Sequence, residues 1–184
     1  MVDLERVLAD LARRLAAAGV PYMVIGGLAN AVWGVPRSTL DIDVTVLLDP
    51  GETGALLAAL GPAYRPRPED PEAFAERTRV LPLLHEDGIQ IDLILAMLPF
   101  EEEAIRRSVE IPIRGVPVRF CTAEDLVLHK LVSDRERDRD DVAGIIQRNR
   151  SRLDRAYLDP RVEELASILD RPELVHWYHR LLDG

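Results

Sequence analysis

The sequence contains a single cysteine, Cys121, so an internal disulfide is excluded. Structural disulfides are rare in reducing compartments, and a chain that uses none fits a cytoplasmic location. The segment after Met1 is charged and amphipathic rather than apolar, which does not fit a secretory signal peptide. No uninterrupted apolar run approaches the ~20 residues of a membrane span, so we expect no membrane partner.

An excess of positive charge is also lacking. The 184 residues carry a net charge of -9, which argues against a surface that coats nucleic acids or membranes. This balance still allows a local basic patch, and basic residues do concentrate after residue 130. Apolar residues make up 47% of the chain, which is enough for a hydrophobic core, and the length suits one domain with a helical extension.

Hydrophobic periodicity predicts a mixed α/β (α+β) chain. Helices are predicted over residues 3–18, 28–33, 54–60, 122–134, 138–147, 161–169 and 172–182. Strands are predicted over 22–25, 40–48, 80–84, 89–95, 109–113 and 116–120. The proline-rich, charged segment 61–71 is predicted to be a loop. These elements indicate a small mixed sheet with flanking helices over residues 1–121 and a helical C-terminal part over 122–184.

Two aspartates, Asp41 and Asp43, interrupt an apolar run that otherwise reads as a buried strand. Residues two apart in a strand face the same side, so both carboxylates project together while Ile42 and Val44 face the core. Adjacent carboxylates repel each other, which raises the pKa of at least one unless a cation lies between them. Asp92 is a third acid in a similar apolar strand. Three convergent carboxylates favour hard divalent ions, and two such ions suit in-line displacement at phosphorus.

A pair of glycines, Gly26 and Gly27, lies between a predicted strand and a predicted helix. Backbone N–H groups at a helix start can receive phosphate, and the missing side chains let a ligand approach closely. Arg37, Ser38 and Thr39 follow just ahead of the paired acids and supply a guanidinium fork and two hydroxyls. The segment therefore predicts a phosphate site beside a metal site.

These motifs together resemble a known superfamily. The run "GG" at 26–27, then "RSTLDID" at 37–43 and "IDLI" at 91–94, resembles the nucleotidyltransferases of the DNA polymerase β-like fold. The later run "HKLVSDRERDRDDVAGII" at 129–146 is similar to the Lys-containing helix and the Arg/Asp-rich segment of the branch that includes the AbiEii-type toxins. The resemblance covers roughly residues 20 to 148 and predicts the polymerase β-like fold.

The resemblance implies a role for each matched residue. Asp41 and Asp43 would bind both metals, while Asp92 would bind the catalytic metal and help to deprotonate the acceptor hydroxyl. The triphosphate would be held and neutralised by residues of three segments: Gly26, Gly27, Arg37, Ser38 or Thr39, and Lys130. The late motif is matched, without a settled role, by Arg135, Arg137, Asp138 and Asp141. Many relatives have Gly-Ser where this chain has Gly-Gly, so one phosphate-binding hydroxyl is missing.

The implied activity is metal-dependent transfer of a nucleoside monophosphate from an NTP to a hydroxyl, with Mg²⁺ or Mn²⁺ as cofactor. The acceptor would be tRNA, another RNA or a protein, and the AbiEii-type branch adds a role in a toxin–antitoxin pair with a cognate antitoxin as partner. A small antibiotic as acceptor is one alternative. A non-catalytic domain that binds a nucleotide or a partner is another, although the presence of all three acids favours an enzyme.

Each motif also has an interpretation without function. The glycine pair alone is typical of a plain turn, and the paired acids alone fit an exposed strand face. Lys130 would by default be a solvated helix residue, and the charge run 134–141 is typical of a salt-bridged surface. His85 and His129 lack metal-ligand spacing and are expected to pack or contact solvent.

Overall fold

The structure, a computed structural model, describes residues 3–98, 100–133 and 135–183. The chain forms two compact units. The first contains the residues up to Leu28 together with Ser38–Cys121, and the second contains Ala29–Arg37 together with the residues from Thr122 onward. Within the described residues, no helix combines the length and the apolar character needed to cross a bilayer.

The first unit is built on a seven-stranded mixed sheet. Its strands are β1 (Tyr22–Val24), β2 (Asp41–Val46), β3 (Tyr64–Pro66), β4 (Val80–His85), β5 (Gln90–Leu95), β6 (Val109–Ile113) and β7 (Val116–Phe120). Their order across the sheet is β3-β4-β5-β2-β1-β7-β6. Strand β2 pairs in parallel with β5, β1 pairs in parallel with β7, and the other neighbours are antiparallel. The mixed α/β prediction is therefore confirmed.

Helices occur in both units. They are α1 (Leu4–Ala17), α2 (Gly26–Trp33), α3 (Thr53–Leu60), α4 (Pro71–Thr78), α5 (Glu101–Arg107), α6 (Ala123–Val132), α7 (Glu136–Asn149), α8 (Arg155–Ile168) and α9 (Glu173–Asp183). Helix α1 shows how the helical spacing of apolar residues leads to a packed helix. Asp3 caps its start by accepting from the Arg6 backbone N–H, and Leu8, Leu11 and Leu15 are buried on one face. That face packs against β7 and α3.

Alternating burial along β2 and β5 places the core of the first unit behind the acidic residues. Ile42 and Val44 on β2 and Ile91 and Leu93 on β5 are fully buried. The residues between them face the other side of the sheet and keep partial exposure. The period of two that the sequence predicted is thus the reason that the acids lie on an accessible face.

The sequence prediction missed three elements of the first unit. The segment predicted as a loop contains β3, an edge strand that forms because it pairs with β4, far along the chain. Helix α4 also lies outside the predicted set, although Asp70 caps it and Pro71 occupies its first turn, which are ordinary signals of a helix start. Helix α5 was likewise missed.

The second unit is helical from residue 123 onward. Helix α6 packs against α7 and α8, and α9 packs against α7 and α8. Thr122 caps α6 by accepting from the backbone N–H of Asp125. Helix α8 begins six residues before the predicted start at 161 and contains Pro160. The helix predicted to reach residue 134 ends at Val132, and Asp134 lies outside the described residues.

Candidate active site

The candidate site is carried by two neighbouring parallel strands of the first unit. In the register of β2 and β5, Asp43 is the direct partner of Asp92, and Asp41 is the partner of Gln90. Directly paired residues of adjacent strands point to the same face, and so do residues two apart on one strand. The side chains of Asp41, Asp43 and Asp92 therefore leave one face of the sheet, next to one another.

Gly26 makes room for the carboxylate of Asp43. A Cβ atom at Gly26 would lie 1.9 Å from Oδ2 of Asp43, far closer than any real contact. The φ angle of Gly26 is +64°, a left-handed conformation that glycine adopts without the penalty of a side chain. The backbone turn from β1 into α2 is thus in van der Waals contact with the acidic face, and only glycine fits there.

A second close approach involves Gly27 and Thr39. A Cβ atom at Gly27 would lie 2.5 Å from Oγ1 of Thr39. That hydroxyl donates a hydrogen bond of 2.5 Å to Oδ1 of Asp41. The glycine pair, Thr39 and the paired acids therefore form one contiguous surface within the first unit. Ser38, beside Thr39, is exposed.

The surroundings of Asp92 change the pKa of its carboxyl group. Its partial burial raises its pKa above the ordinary value, the positive charge of Arg67 opposes this shift, and the negative charge of Asp41 adds to it. A carboxylate of raised pKa holds a proton more strongly than an ordinary one. Asp92 is therefore better suited than an exposed aspartate to take a proton from a hydroxyl group.

Two residues of this face were missed in the sequence. Gln90 lies two positions before Asp92 on β5 and faces the same side, a relationship that the strand period alone could have shown. Arg67 lies in the segment after β3, where Nη1 donates to Oε1 of Gln90 at 3.3 Å. No local pattern predicts that contact, because it depends on the pairing of β3 and β4.

Carboxylate oxygens are the ligands that Mg²⁺ and Mn²⁺ prefer, so the three acids fit a divalent ion in their chemistry. Adjacent strands lie about 4.8 Å apart, which brings Asp43 and Asp92 within reach of a common ion. In the part of the chain that the structure describes, however, no three acidic, histidine or cysteine side chains are already gathered as a metal centre.

Lys130 and Arg37 lie in the second unit, in a cluster of buried charges. The Lys130 ammonium is 2.6 Å from Oδ1 of Asp138 and 2.8 Å from Oδ2 of Asp141. The Arg37 guanidinium is 3.1 Å from the same oxygen of Asp141. Arg135, exposed at the start of α7, contacts Asp138 at 2.8 Å. Five residues that the sequence analysis singled out are thus joined in one ion-pair network: Arg37, Lys130, Arg135, Asp138 and Asp141.

This cluster corrects the expectation of a solvated surface at two positions of the run 134–141, while residues 135–137 and 139–140 are exposed as expected. Asp138 and Asp141 are 2% and 6% exposed, whereas Arg137 is exposed. Burial alone would raise the pKa of Asp138, but hydrogen bonds from Lys130 and Ser133 and the charges of Lys130 and Arg135 together outweigh it, and the pKa falls to about 2. Burial also raises the pKa of Asp141, but hydrogen bonds from Arg37 and Lys130 help to hold it below its usual value. Both acids are ionised at neutral pH and hold their cations.

His85 and His129 are packing residues, as predicted. His85 is 3% exposed and stacks edge-on against Tyr64 at 4.9 Å between ring centroids. The Nε2 atom of His129 is inaccessible to solvent. Burial, together with the charge of Lys130, lowers the pKa of His129 to about 4. Neither histidine lies in a metal-ligand group among the residues described.

Comparisons with known proteins identify the kind of fold. The family described as "Nucleotidyltransferase of unknown function (DUF6036)" matches residues 3–175. An antigenic nucleotidyltransferase-like protein from Paracoccidioides brasiliensis is 17% identical, with a TM-score of 0.57 over 98% of this chain and 92% of that one. No curated protein matches the sequence.

Two further solved structures share the fold. The antibiotic-resistance factor ANT(2'')-Ia is 20% identical, with a TM-score of 0.53 over 96% of this chain and 99% of that one. The lincosamide antibiotic adenylyltransferase LnuA, solved with lincomycin, is 16% identical, with a TM-score of 0.51 over 78% of this chain and 96% of that one. At these identities the likeness shows a common nucleotidyltransferase fold.

Proposed function

Since the chain belongs to the DUF6036 family of nucleotidyltransferases, we propose that it transfers a nucleoside monophosphate from an NTP to a hydroxyl acceptor. The observation that supports this proposal best is the common face of Asp41, Asp43 and Asp92, with Gly26 packed against Asp43. Three carboxylates beside a glycine turn provide a place for divalent ions next to a place for phosphates.

In this proposal Asp41 and Asp43 would hold both divalent ions, Mg²⁺ or Mn²⁺, and Asp92 would hold the catalytic ion. The bound ions would neutralise charge on the phosphates and lower the pKa of the acceptor hydroxyl. The backbone N–H groups at Gly26 and Gly27 orient the triphosphate, and Thr39 fixes the carboxylate of Asp41 through its hydrogen bond. Ser38 is a further candidate for a phosphate contact.

The reaction then needs one proton transfer and one displacement at phosphorus. Asp92 accepts the proton of the acceptor hydroxyl, a role that its place beside Asp43 on the common acidic face supports. The acceptor oxygen forms a bond to the α-phosphorus while the bond from that phosphorus to the bridging oxygen of the β-phosphate breaks. Pyrophosphate leaves with the electron pair of the broken bond, and Asp92 returns the proton to solvent.

Lys130 and Arg37 have no part in the reaction steps described above. The ion pairs of Lys130 with Asp138 and Asp141 support a role in holding the second unit together. The triphosphate contact that the resemblance implies for Lys130 and Arg37 stays a prediction, as does any role of Arg135 and Arg137. A cytoplasmic location is likewise a prediction that is supported by the lone Cys121.

The acceptor distinguishes the alternatives within this proposal. The late Arg/Asp-rich run at 129–146 supports an RNA or protein hydroxyl as the acceptor. The same run supports the AbiEii-type branch, and with it a toxin–antitoxin role with a cognate antitoxin. A small antibiotic acceptor is the second candidate, favoured by the shared fold with two proteins named for antibiotic resistance or antibiotic adenylylation. A non-catalytic nucleotide-binding domain is the third.

The test is incubation with each α-labelled NTP, Mg²⁺ or Mn²⁺ and total cell extract. We expect label to enter one of the RNA, protein or small-molecule fractions, with release of pyrophosphate. Asp43→Asn should abolish both signals, whereas Glu86→Gln, in the exposed turn between β4 and β5, should retain them. Absence of metal-dependent pyrophosphate release with every NTP and every fraction would leave the non-catalytic alternative as the better account.

A further inference from the structure

Arg67 is held beside the acidic face by its backbone. Its N–H donates to the carbonyl oxygen of Pro82 on β4 at 3.0 Å. Pro82 is the direct partner of Asp92 in the β4–β5 register. The segment that follows β3 therefore runs past the sheet at the level of Asp92, and the position of Arg67 is fixed by strand pairing.

The guanidinium of Arg67 reaches the same face as the acids. It donates to Gln90, which neighbours Asp92 along β5 and is paired with Asp41 on β2. It also acts on Asp92 through its charge. Arg67 is exposed, and its 3.3 Å contact with Gln90 is long for a hydrogen bond, so a ligand anion can replace it at small cost.

Arg67 and the glycine turn lie on opposite flanks of the acids. In the sheet order β3-β4-β5-β2-β1, the turn at Gly26 follows β1, and Arg67 is attached to β4. Asp43 and Asp92 lie between them, on β2 and β5. If the triphosphate occupies the glycine side, the acceptor hydroxyl must approach from the side of Asp92, which is the side of Arg67.

We propose that Arg67 binds the phosphodiester next to the acceptor hydroxyl, so that the acceptor is the 3′ end of an RNA strand. This inference rests on the proposed nucleotidyl transfer and specifies its second substrate. A guanidinium fork binds a phosphate through two parallel hydrogen bonds, and the terminal phosphodiester of a polynucleotide lies one sugar away from its 3′ hydroxyl. An aminoglycoside carries several ammonium groups, which Arg67 would repel.

The net charge of -9 is consistent with such a local contact. A chain this acidic repels an extended RNA backbone, so affinity must come from a few cations placed at the site. One arginine beside Asp92 supplies a contact to the terminal phosphodiester and no general RNA-binding surface. We therefore expect recognition of the RNA end, with little dependence on the length of the strand.

Equilibrium binding tests this inference without relying on turnover. The probe is a short single-stranded oligoribonucleotide with a 5′ fluorescein and a free 3′ hydroxyl, followed by fluorescence anisotropy at fixed salt. We expect Arg67→Gln to weaken RNA binding about tenfold and to leave ATP binding unchanged. Arg77→Gln on α4 is the matched control: it removes the same charge from an exposed arginine that lies 5.6 Å over the ring of Phe74, and RNA binding should stay at the wild-type value.

A second probe replaces the terminal phosphodiester by an uncharged methylphosphonate. It should bind the wild type about tenfold more weakly than the native strand, and Arg67→Gln should no longer distinguish the two strands. The inference is overturned if Arg67→Gln and Arg77→Gln behave alike, if Arg67→Gln weakens ATP instead of RNA, or if the wild type binds no RNA. Binding that depends on Arg67 in a protein that releases no pyrophosphate would refute the proposed function alone.

Discussion

Asp43 and Asp92 are direct partners in the parallel pairing of β2 and β5, although helices α3 and α4 and strands β3 and β4 lie between them in the sequence. The pairing fixes both the height of the two carboxylates along the strands and the face from which they emerge. A slip of one residue in this register would move Asp92 to the opposite face and Ile91 to the acidic one. The candidate active site thus depends on the same contacts that form the core.

Gly26→Ala should remove function through a steric clash with Asp43. The new methyl group would overlap Oδ2 of Asp43 and force that carboxylate away. Gly19→Ala is the matched control, because Gly19 also has a positive φ, of +69°, but nothing lies within 4 Å of its Cβ position. Each variant should lose about 1–2 kcal/mol of stability to the left-handed backbone. Only Gly26→Ala should also lose metal-dependent pyrophosphate release.

Urea unfolding and the pyrophosphate assay distinguish these effects. Equal activity of the two alanine variants, at equal folded fraction, would show that the contact between Gly26 and Asp43 does not matter for the reaction.

Lys130→Met should strongly destabilise the second unit. The ammonium is 8% exposed and compensates Asp138 and Asp141, which are ionised at neutral pH. Removal of one partner from a buried charge pair costs about 3–5 kcal/mol, since the remaining charge stays buried. Arg137→Gln, at an exposed position on α7, should change the free energy of unfolding by less than about 0.5 kcal/mol.

The affinity of the folded Lys130→Met protein for ATP addresses the other role of this residue. Unchanged ATP affinity would limit Lys130 to the ion-pair cluster, whereas a loss of affinity would support a contact with the triphosphate. A free energy of unfolding equal to that of the wild type would contradict the structural role.

The sequence predicted local structure better than long-range pairing. A hairpin such as that of β4 and β5 has a local signal in the sequence, because its turn contains the pair Asp87-Gly88. The parallel pairing of β2 with β5 has no local signal, because it joins strands through a crossover of many residues. Edge strand β3 was predicted as a loop because the prolines in and around it disfavour a central strand, and only the presence of β4 makes it pair.

In the candidate site, too, the sequence predicts what depends on neighbouring residues better than what depends on distant ones. The period of two along a strand places Asp41 and Asp43 on one face, and the same rule could have added Gln90 to Asp92. The contact of Arg67 with that face depends on the course of the chain after β3 and could not be read from neighbouring residues. The burial of Lys130 was equally hidden, since a lysine on an amphipathic helix can face either solvent or a buried acid.

Stability should fall between pH 6.5 and pH 4 because of His129. Burial and the charge of Lys130 lower the pKa of His129 from 6.5 to about 4, so the folded state keeps the ring neutral. The unfolded state takes up a proton below pH 6.5, and proton uptake by the unfolded state alone favours unfolding. This linkage removes on the order of 3 kcal/mol of stability as the pH falls from 6.5 to 4.

His129→Gln removes the titrating group, so its free energy of unfolding should depend less on pH in this range. The measurement is urea unfolding at several pH values from neutral to 4, compared with His176→Gln, whose ring is exposed on α9. The slope with pH is the relevant quantity, because the substitution can also change the stability at neutral pH. Equal slopes for the two variants would show that His129 is already accessible to protons in the folded state.

The central claim is that Asp41, Asp43 and Asp92 act together on divalent ions during nucleotidyl transfer. Its most direct test is pyrophosphate release from NTP by the wild type, Asp92→Asn and Glu86→Gln, each with Mg²⁺ and again after chelation by EDTA. We predict release by the wild type and Glu86→Gln with Mg²⁺, none after EDTA, and a loss of at least about a hundredfold in Asp92→Asn while its unfolding curve stays cooperative. Wild-type rates in folded Asp92→Asn, or rates that persist in EDTA, would contradict the claim.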